Sequence, residues 1–140
     1  MRNWQEMNAL TLAYLGDAVY ELWIRTHMLE LGYEKVKDLH NHTVSYVCAE
    51  TQARILRALL PELSEKERQV AQRGRNTKSG RPPNVDVITY RHATAFESLV
   101  GYWHLSGQSE RLEWAFNKVD SIVLQGKLVQ EDGTSGGKEI

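Results

Sequence analysis

Apolar residues recur at helical spacing along most of the chain, and the segments that carry them predict an all-α fold. The first segment runs from about residue 8 to residue 31, with Asn8 as its N-cap and Gly32 just after its end. Apolar residues lie on more than one face of it, so we expect a helix that is buried on most sides. The predicted main stripe consists of Leu12, Leu15, Val19, Leu22, Trp23 and Leu29, and the opposite side carries Leu10, Ala13, Tyr20 and Ile24.

The other helical segments are bounded by capping residues, glycines and prolines. Ser64 followed by Glu67 has the form of a capping box and predicts that a helix begins there. Residues 73–84 contain two glycines and two prolines, and are therefore predicted to form a loop. The predicted helices after the first are a group over about 36–60 that ends near Pro61, one from Ser64 to the loop, one over 86–106 and one over 110–125.

Composition narrows the class of protein. A chain of 140 residues with 41% hydrophobic and 25% charged residues is typical of one globular domain, which we place at 1–127, with 128–140 as a disordered tail. No apolar run approaches the roughly 20 residues of a membrane span. Cys48 is the single cysteine, which favours a reducing cytoplasm and excludes a zinc site built on several cysteines. The net charge of −1 means that any anionic ligand must meet a local basic patch.

Asp17 lies in the middle of the first predicted helix, whose faces are nearly all apolar. A charged group in such a place is costly unless it is paired or coordinates a metal ion. Gly16, beside it, costs about 1 kcal/mol relative to alanine inside a helix, which indicates that another helix or a ligand approaches closely. From these residues alone, a structural and a functional role for Asp17 both remain open.

Glu97 repeats this arrangement in the predicted helix over 86–106, with Gly101 about one turn away. Two helices that meet near Gly16 and Gly101 bring Asp17 and Glu97 face to face. Carboxylate oxygens gathered in this way suit Mg²⁺, which takes one or two protein carboxylates and keeps water for its other positions. The alternative interpretation of Glu97 is an ordinary surface glutamate.

Two segments resemble the ribonuclease III family. Residues 12–19 read LAYLGDAV and resemble its signature, usually written ERLEFLGDAV, and residues 95–101 read AFESLVG and resemble its second motif, DxFEALIG. With residues 73–80, 89–91 and 94–97, the chain is similar in particular to mini-ribonuclease III, the branch that lacks a separate double-stranded-RNA-binding domain. The resemblance covers roughly residues 8–125.

The resemblance implies a magnesium-dependent endoribonuclease that cleaves double-stranded RNA as a homodimer, in which each subunit cuts one strand. It implies that Asp17 and Glu97 are the catalytic carboxylates and the metal ligands. Where the larger family has further acids, this chain has Leu10, Ala13 and Thr94. We therefore expect one well-bound Mg²⁺, with any second ion held mostly by RNA phosphate and water.

Two residues near this pair are candidates for support. Thr94 is expected at most to orient a metal-bound water. Glu21, one turn beyond Asp17, is expected mainly to pair with Arg25, four residues further along the helix. Trp103 and Trp114 lie at helical spacing and are expected in the core or in a dimer interface.

Positive charge is concentrated in and before the predicted loop. Between Arg68 and Val85 the chain carries five basic residues and no acidic one. Phosphate contacts dominate affinity for nucleic acid, and A-form RNA is recognised mostly by shape and backbone. By themselves these charges slightly favour a solvated loop over RNA binding, and the family resemblance reverses that order. The RNA-binding candidates are Arg73, Arg75, Lys78 and Arg81.

The resemblance further implies that the substrate is a duplex stalk of precursor 23S (large-subunit) ribosomal RNA, with a ribosomal protein as a further partner. Two alternatives are a non-catalytic RNA-binding or ribosome-associated module on a degenerate ribonuclease III fold, and a helical dimerisation module without an RNA role. Retention of Asp17 and Glu97 favours the enzyme over the first alternative. The basic loop disfavours the second.

Overall fold

The part of the chain that the structure describes is mostly helical. The computed structural model describes residues 7–77, 80 and 84–128, and no strand occurs among them, which confirms the predicted all-α fold. In chain order the helices are α1 (Ala9–Glu30), α2 (Val36–Val47), α3 (Ala49–Leu59), α4 (Glu65–Arg75), α5 (Val87–Leu105), α6 (Ser109–Phe116) and α7 (119–128), with a 3₁₀ turn at Leu60–Glu62 between α3 and α4.

Capping residues fix the ends of α1 and α4 where the sequence predicts them. The side chain of Asn8 accepts a hydrogen bond from the amide of Leu10 at 2.8 Å. Ser64 and Glu67 form the reciprocal capping box, with bonds of 3.2 and 2.8 Å. Gly32 follows α1 with φ +97°, a conformation that glycine adopts without a steric penalty.

Helix α5 is at the centre of the fold and packs against α1, α3 and α4. Its side chains Phe96, Leu99, Val100 and Trp103 are fully buried. The indole of Trp103 donates to Glu67 at 2.7 Å, which confirms its place in the core. Burying these side chains supplies about 2 kcal/mol each, and the same packing fixes the position of every residue on α5 relative to α1 and α3.

The prediction that α1 is buried on most sides is wrong for the single chain. Its buried stripe follows a spacing of four residues and consists of Leu12, Gly16, Tyr20, Ile24 and Met28. Leu22 and Leu29 belong to the predicted main stripe, yet they are 69% and 59% exposed. The reason is geometric: α5 covers one face of α1, and a second apolar face lies open to solvent.

The prediction of one helix over residues 110–125 is also wrong, because α6 and α7 are separate helices. The chain turns between them, where the amide of Lys118 donates to the carbonyl of Ala115 at 3.2 Å. This turn allows Phe116 and Val119, 5% and 0% exposed, to pack into the same core. Burial of both side chains outweighs the helical hydrogen bonds lost at the break.

Parts of the chain named in the sequence analysis lie outside the described residues. They include Lys78 and Arg81 of the basic segment, and all of the predicted tail except Leu128, which is helical. Within the described residues, no helix has the length and apolar character needed to cross a membrane.

Candidate active site at the crossing of α1 and α5

Helices α1 and α5 cross in close contact at two glycines, as the sequence predicts. A methyl group on Gly16 would overlap the carbonyl oxygen of Glu97 and lie 2.8 Å from the amide nitrogen of Gly101. One on Gly101 would overlap the carbonyl oxygen of Leu12. Because the obstructing atoms belong to the backbone, a larger residue at either position forces the two helices apart.

This crossing brings the carboxyl groups of Asp17 and Glu97 into hydrogen-bonding contact. Asp17 is exposed rather than enclosed by apolar faces, and Glu97 is partly buried. Burial, followed by the hydrogen bond and the negative charge of Asp17, raises the pKa of Glu97 to about 8. At neutral pH and without a metal ion, Glu97 is therefore protonated.

Gln52 on α3 is the third side chain of the site, and sequence reasoning missed it. It is 3% exposed and forms a hydrogen bond with Glu97, which favours the ionised form of that carboxyl group. A signal for it exists in the sequence. Gln52 shares the buried face of α3 with Ile55, Leu56 and Leu59, so it is a polar residue at an apolar position and requires a polar partner.

The two carboxyl groups fit a hard divalent cation. Mg²⁺ prefers oxygen ligands and accepts as few as one or two protein carboxylates. Burial and the neighbouring Asp17 keep Glu97 protonated, and a cation held by Glu97 and Asp17 would replace that proton. Across residues 7–77, 80 and 84–128, no group of three or more aspartate, glutamate, histidine or cysteine side chains that could hold a metal ion comes together. A cation at Asp17 and Glu97 would therefore need water for most of its ligands.

The two support candidates have partners of their own. The hydroxyl of Thr94 is nearly buried and donates to the carbonyl of Tyr90 at 3.0 Å, so its proton is used within α5. Glu21 accepts from Arg25 at 3.2 Å, which confirms the predicted pairing. Gln52, and not either of these residues, is therefore the neighbour that binds Glu97.

The prediction that the loop begins at residue 73 is wrong, because α4 continues to Arg75. Gly74 explains the continuation. It packs against α5 so tightly that a methyl group on it would lie 2.9 Å from the Cα atom of Ala95. Arg73 and Arg75 are therefore exposed on the last turn of α4, and Arg73 also donates to the carbonyl of Met7 at 3.2 Å.

Comparison with known proteins identifies one family. Residues 10–108 match the model of the Ribonuclease III domain. A mini-ribonuclease 3 of Desulfitobacterium hafniense is 62% identical over 122 residues, which cover 87% of this chain and 78% of that protein. Another, from Symbiobacterium thermophilum, is 48% identical and covers 84% of this chain and 92% of its own length. A crystal structure of a Fusobacterium nucleatum protein matches with a TM-score of 0.78 at 31% identity, over 81% of this chain and 93% of that one.

Proposed function

Since this chain belongs to the ribonuclease III domain family and is an endoribonuclease of that type, we propose that Asp17 and Glu97 are its catalytic carboxylates and bind Mg²⁺ for the cleavage of double-stranded RNA. The contact between the two carboxyl groups at the α1–α5 crossing carries this proposal. Two acidic groups held together in a folded protein cost free energy, and a functional cation accounts for their retention.

The side chains have separate tasks in the proposed reaction. Asp17 is exposed and faces the solution from which RNA arrives. Gln52 forms a hydrogen bond with Glu97, which favours one orientation of that carboxyl group before the substrate binds. Glu97 would give up its proton to the solvent when a cation binds. At this site, Mg²⁺ held by Asp17 and Glu97 would supply a nucleophilic water and stabilisation of charge on the phosphodiester.

Positive charge at the end of α4 supports RNA as the substrate. The last turn of α4 packs on α5 at Ala95, two residues before Glu97 in the chain and on a different side of that helix. Arg73 and Arg75 are exposed there and are proposed to contact RNA phosphates. Lys78 and Arg81, which follow in the chain, are proposed to extend this contact.

The second apolar face of α1 supports a homodimer. Tyr14, Leu22 and Leu29 are 83%, 69% and 59% exposed, and helical spacing places them on one side of α1. Across from Leu29, α2 exposes Val36 and Val44. Exposed apolar area of this extent is typical of an interface, and a second copy of the chain is the proposed occupant. Light scattering at several protein concentrations measures the mass of the assembly.

The proposed biological substrate is a duplex stalk of precursor 23S ribosomal RNA, processed in the cytoplasm with a ribosomal protein as a further partner. The family resemblance supports this substrate, and the single Cys48 supports the reducing compartment. A duplex RNA of any sequence remains the appropriate first substrate, because shape and backbone dominate recognition of A-form RNA.

Long duplex RNA tests the proposed function directly. The purified protein and the variant Asp17→Asn are each incubated with the duplex and Mg²⁺, and the products are separated on denaturing and native gels. We expect cleavage by the natural chain only, with both proteins shifting the duplex on the native gel. Cleavage by neither protein, with both shifting the duplex, supports the non-catalytic RNA-binding module instead. Absence of both cleavage and binding at low salt contradicts an RNA function.

A further inference from the structure

A basic cavity lies outside the carboxylate site. Its volume is about 360 Å³, and it is lined by the end of α2, by α3, by the first turn of α5 and by α7. Three cations line it, namely Arg54, Arg57 and Lys127, together with Thr89 and one carboxylate, Glu50. The lining therefore has an excess of positive charge, although the whole chain has a net charge of −1.

The guanidinium of Arg54 lies close to the backbone of α7 at the wall of this cavity. A methyl group on Gly126 would come 3.2 Å from its Cζ atom. The absence of a Cβ atom at Gly126 therefore leaves room for the guanidinium at this position, although the Arg54 side chain can shift. A guanidinium presents its donors in a planar fork that matches a carboxylate or a phosphate.

Neither Arg54 nor Arg57 has a carboxylate within ion-pairing distance in the described part of the chain. Other arginines do have such partners: Arg25 pairs with Glu21, and Arg111 pairs with Glu67. The donors of Arg54 and Arg57 are therefore available to an anion from outside the chain, with which a guanidinium forms strong charge-assisted hydrogen bonds.

Positive charge continues from this cavity towards the end of α4. Burial lowers the pKa of His92 on α5, and the charges of Arg57 and Arg75 lower it further, against the opposing effect of Asp86. His92 therefore lies within the field of cations from both the cavity and α4. A row of cations matches a chain of phosphates better than a single small anion.

We propose that the cavity lined by Arg54, Arg57 and Lys127 binds a backbone phosphate of duplex RNA at a distance from the cleaved bond. Eight residues of α5 separate Thr89, in the cavity, from Glu97, which corresponds to roughly 12 Å along the helix. The phosphate held there therefore belongs to a different nucleotide from the one that is cut. This inference rests on the proposed function, since it requires that the chain binds RNA.

The salt dependence of duplex binding tests the site. Affinity for a short duplex RNA is measured by fluorescence anisotropy at several salt concentrations, in a buffer with a chelator so that no cleavage occurs. Arg54→Gln and Arg57→Gln each remove one cavity cation, and Arg54→Lys keeps the charge. Lys118→Gln is the matched control, because Lys118 pairs with Glu62 at 3.6 Å outside the cavity. Circular dichroism verifies that each variant is folded.

Loss of one phosphate contact lowers the magnitude of the log–log salt slope by about 1. We expect this decrease for Arg54→Gln and for Arg57→Gln, and an unchanged slope for Arg54→Lys and Lys118→Gln. Equal slopes for all proteins overturn the inference. If inorganic phosphate raises the melting temperature of the natural chain but not of Arg54→Gln while the slopes stay equal, the cavity binds a small free phosphate and the assignment to RNA is wrong. If the natural chain itself fails to bind the duplex, the proposed function has failed, which is a different result.

Discussion

Gly16 has no room for a side chain, and the variant Gly16→Ala measures how strictly the site depends on the close crossing of α1 and α5. The added methyl group meets backbone atoms of Glu97 and Gly101, none of which can rotate away. Overpacking of this kind costs about 3 kcal/mol, and alanine returns about 1 kcal/mol through its higher helix propensity. The expected net loss in the free energy of unfolding is therefore about 2 kcal/mol.

Gly126→Ala is the matched control for this variant. Gly126 is also helical, but the group that its methyl meets is the far end of the Arg54 side chain, which can shift. Its free energy of unfolding is expected to stay the same or rise by up to about 1 kcal/mol. Urea unfolding followed by circular dichroism measures both variants.

Separation of the helices also moves Asp17 away from Glu97, so Gly16→Ala is expected to lose cleavage of duplex RNA under conditions where it is still folded. Wild-type stability together with wild-type cleavage in Gly16→Ala would refute the close crossing as the basis of the site. A loss of stability as large in Gly126→Ala would show that helical glycines in this chain are sensitive for another reason.

Three other variants follow from the contacts in the structure. In the metal-free protein, folded Glu97 binds a proton between its unfolded pKa of 4.5 and its folded pKa of about 8. Its contribution to stability therefore falls as the pH rises through this interval. In urea unfolding, Glu97→Gln is expected to remove that fall. Gln52→Met removes a hydrogen bond to a charged group, worth about 2 kcal/mol, and is expected to raise the Mg²⁺ concentration needed for half-maximal cleavage at least tenfold. Glu67→Gln weakens a nearly buried ion pair of 2.7 Å with Arg111 and is expected to lower the free energy of unfolding by about 3 kcal/mol, measured in urea.

Each of these predictions has a result that contradicts it. For Glu97→Gln, it is a pH profile of metal-free stability equal to that of the natural chain. For Gln52→Met, it is an effect no larger than that of Thr51→Val, a control on the same helix that loses a hydrogen bond to the carbonyl of Ser45. For Glu67→Gln, it is an unchanged unfolding midpoint.

Local sequence patterns predicted the elements whose ends depend on neighbouring residues. Asn8 and Gly32 bound α1, and the pair Ser64 and Glu67 begins α4, because capping uses atoms within a few residues of one another. The two glycines near Asp17 and Glu97 predicted the crossing for a similar reason. A glycine inside a helix is unfavourable on its own, so it indicates a close neighbour even when that neighbour is unknown.

Features that depend on the tertiary packing could not be predicted in the same way. Leu22 is as apolar as Leu12, and nothing in α1 alone reveals that α5 covers only one of them. Similarly, the glycines and prolines after residue 72 predicted that a loop begins at residue 73. Helix α4 continues to Arg75 instead, because Gly74 packs on α5. The role of Gln52 depends on the contact of α3 with α5, since its partner lies 45 positions away in the chain.

The joint action of Asp17 and Glu97 is the central claim, and single-turnover cleavage of duplex RNA at saturating Mg²⁺ measures it most directly. The natural chain is compared with Asp17→Asn, Glu97→Gln and the double variant. If the two carboxylates hold one cation together, each single variant loses about as much rate as the double variant. The reason is that a site with one carboxylate then cleaves no faster than a site with neither. A wild-type rate in either single variant, or losses that multiply in the double variant, would contradict a shared site.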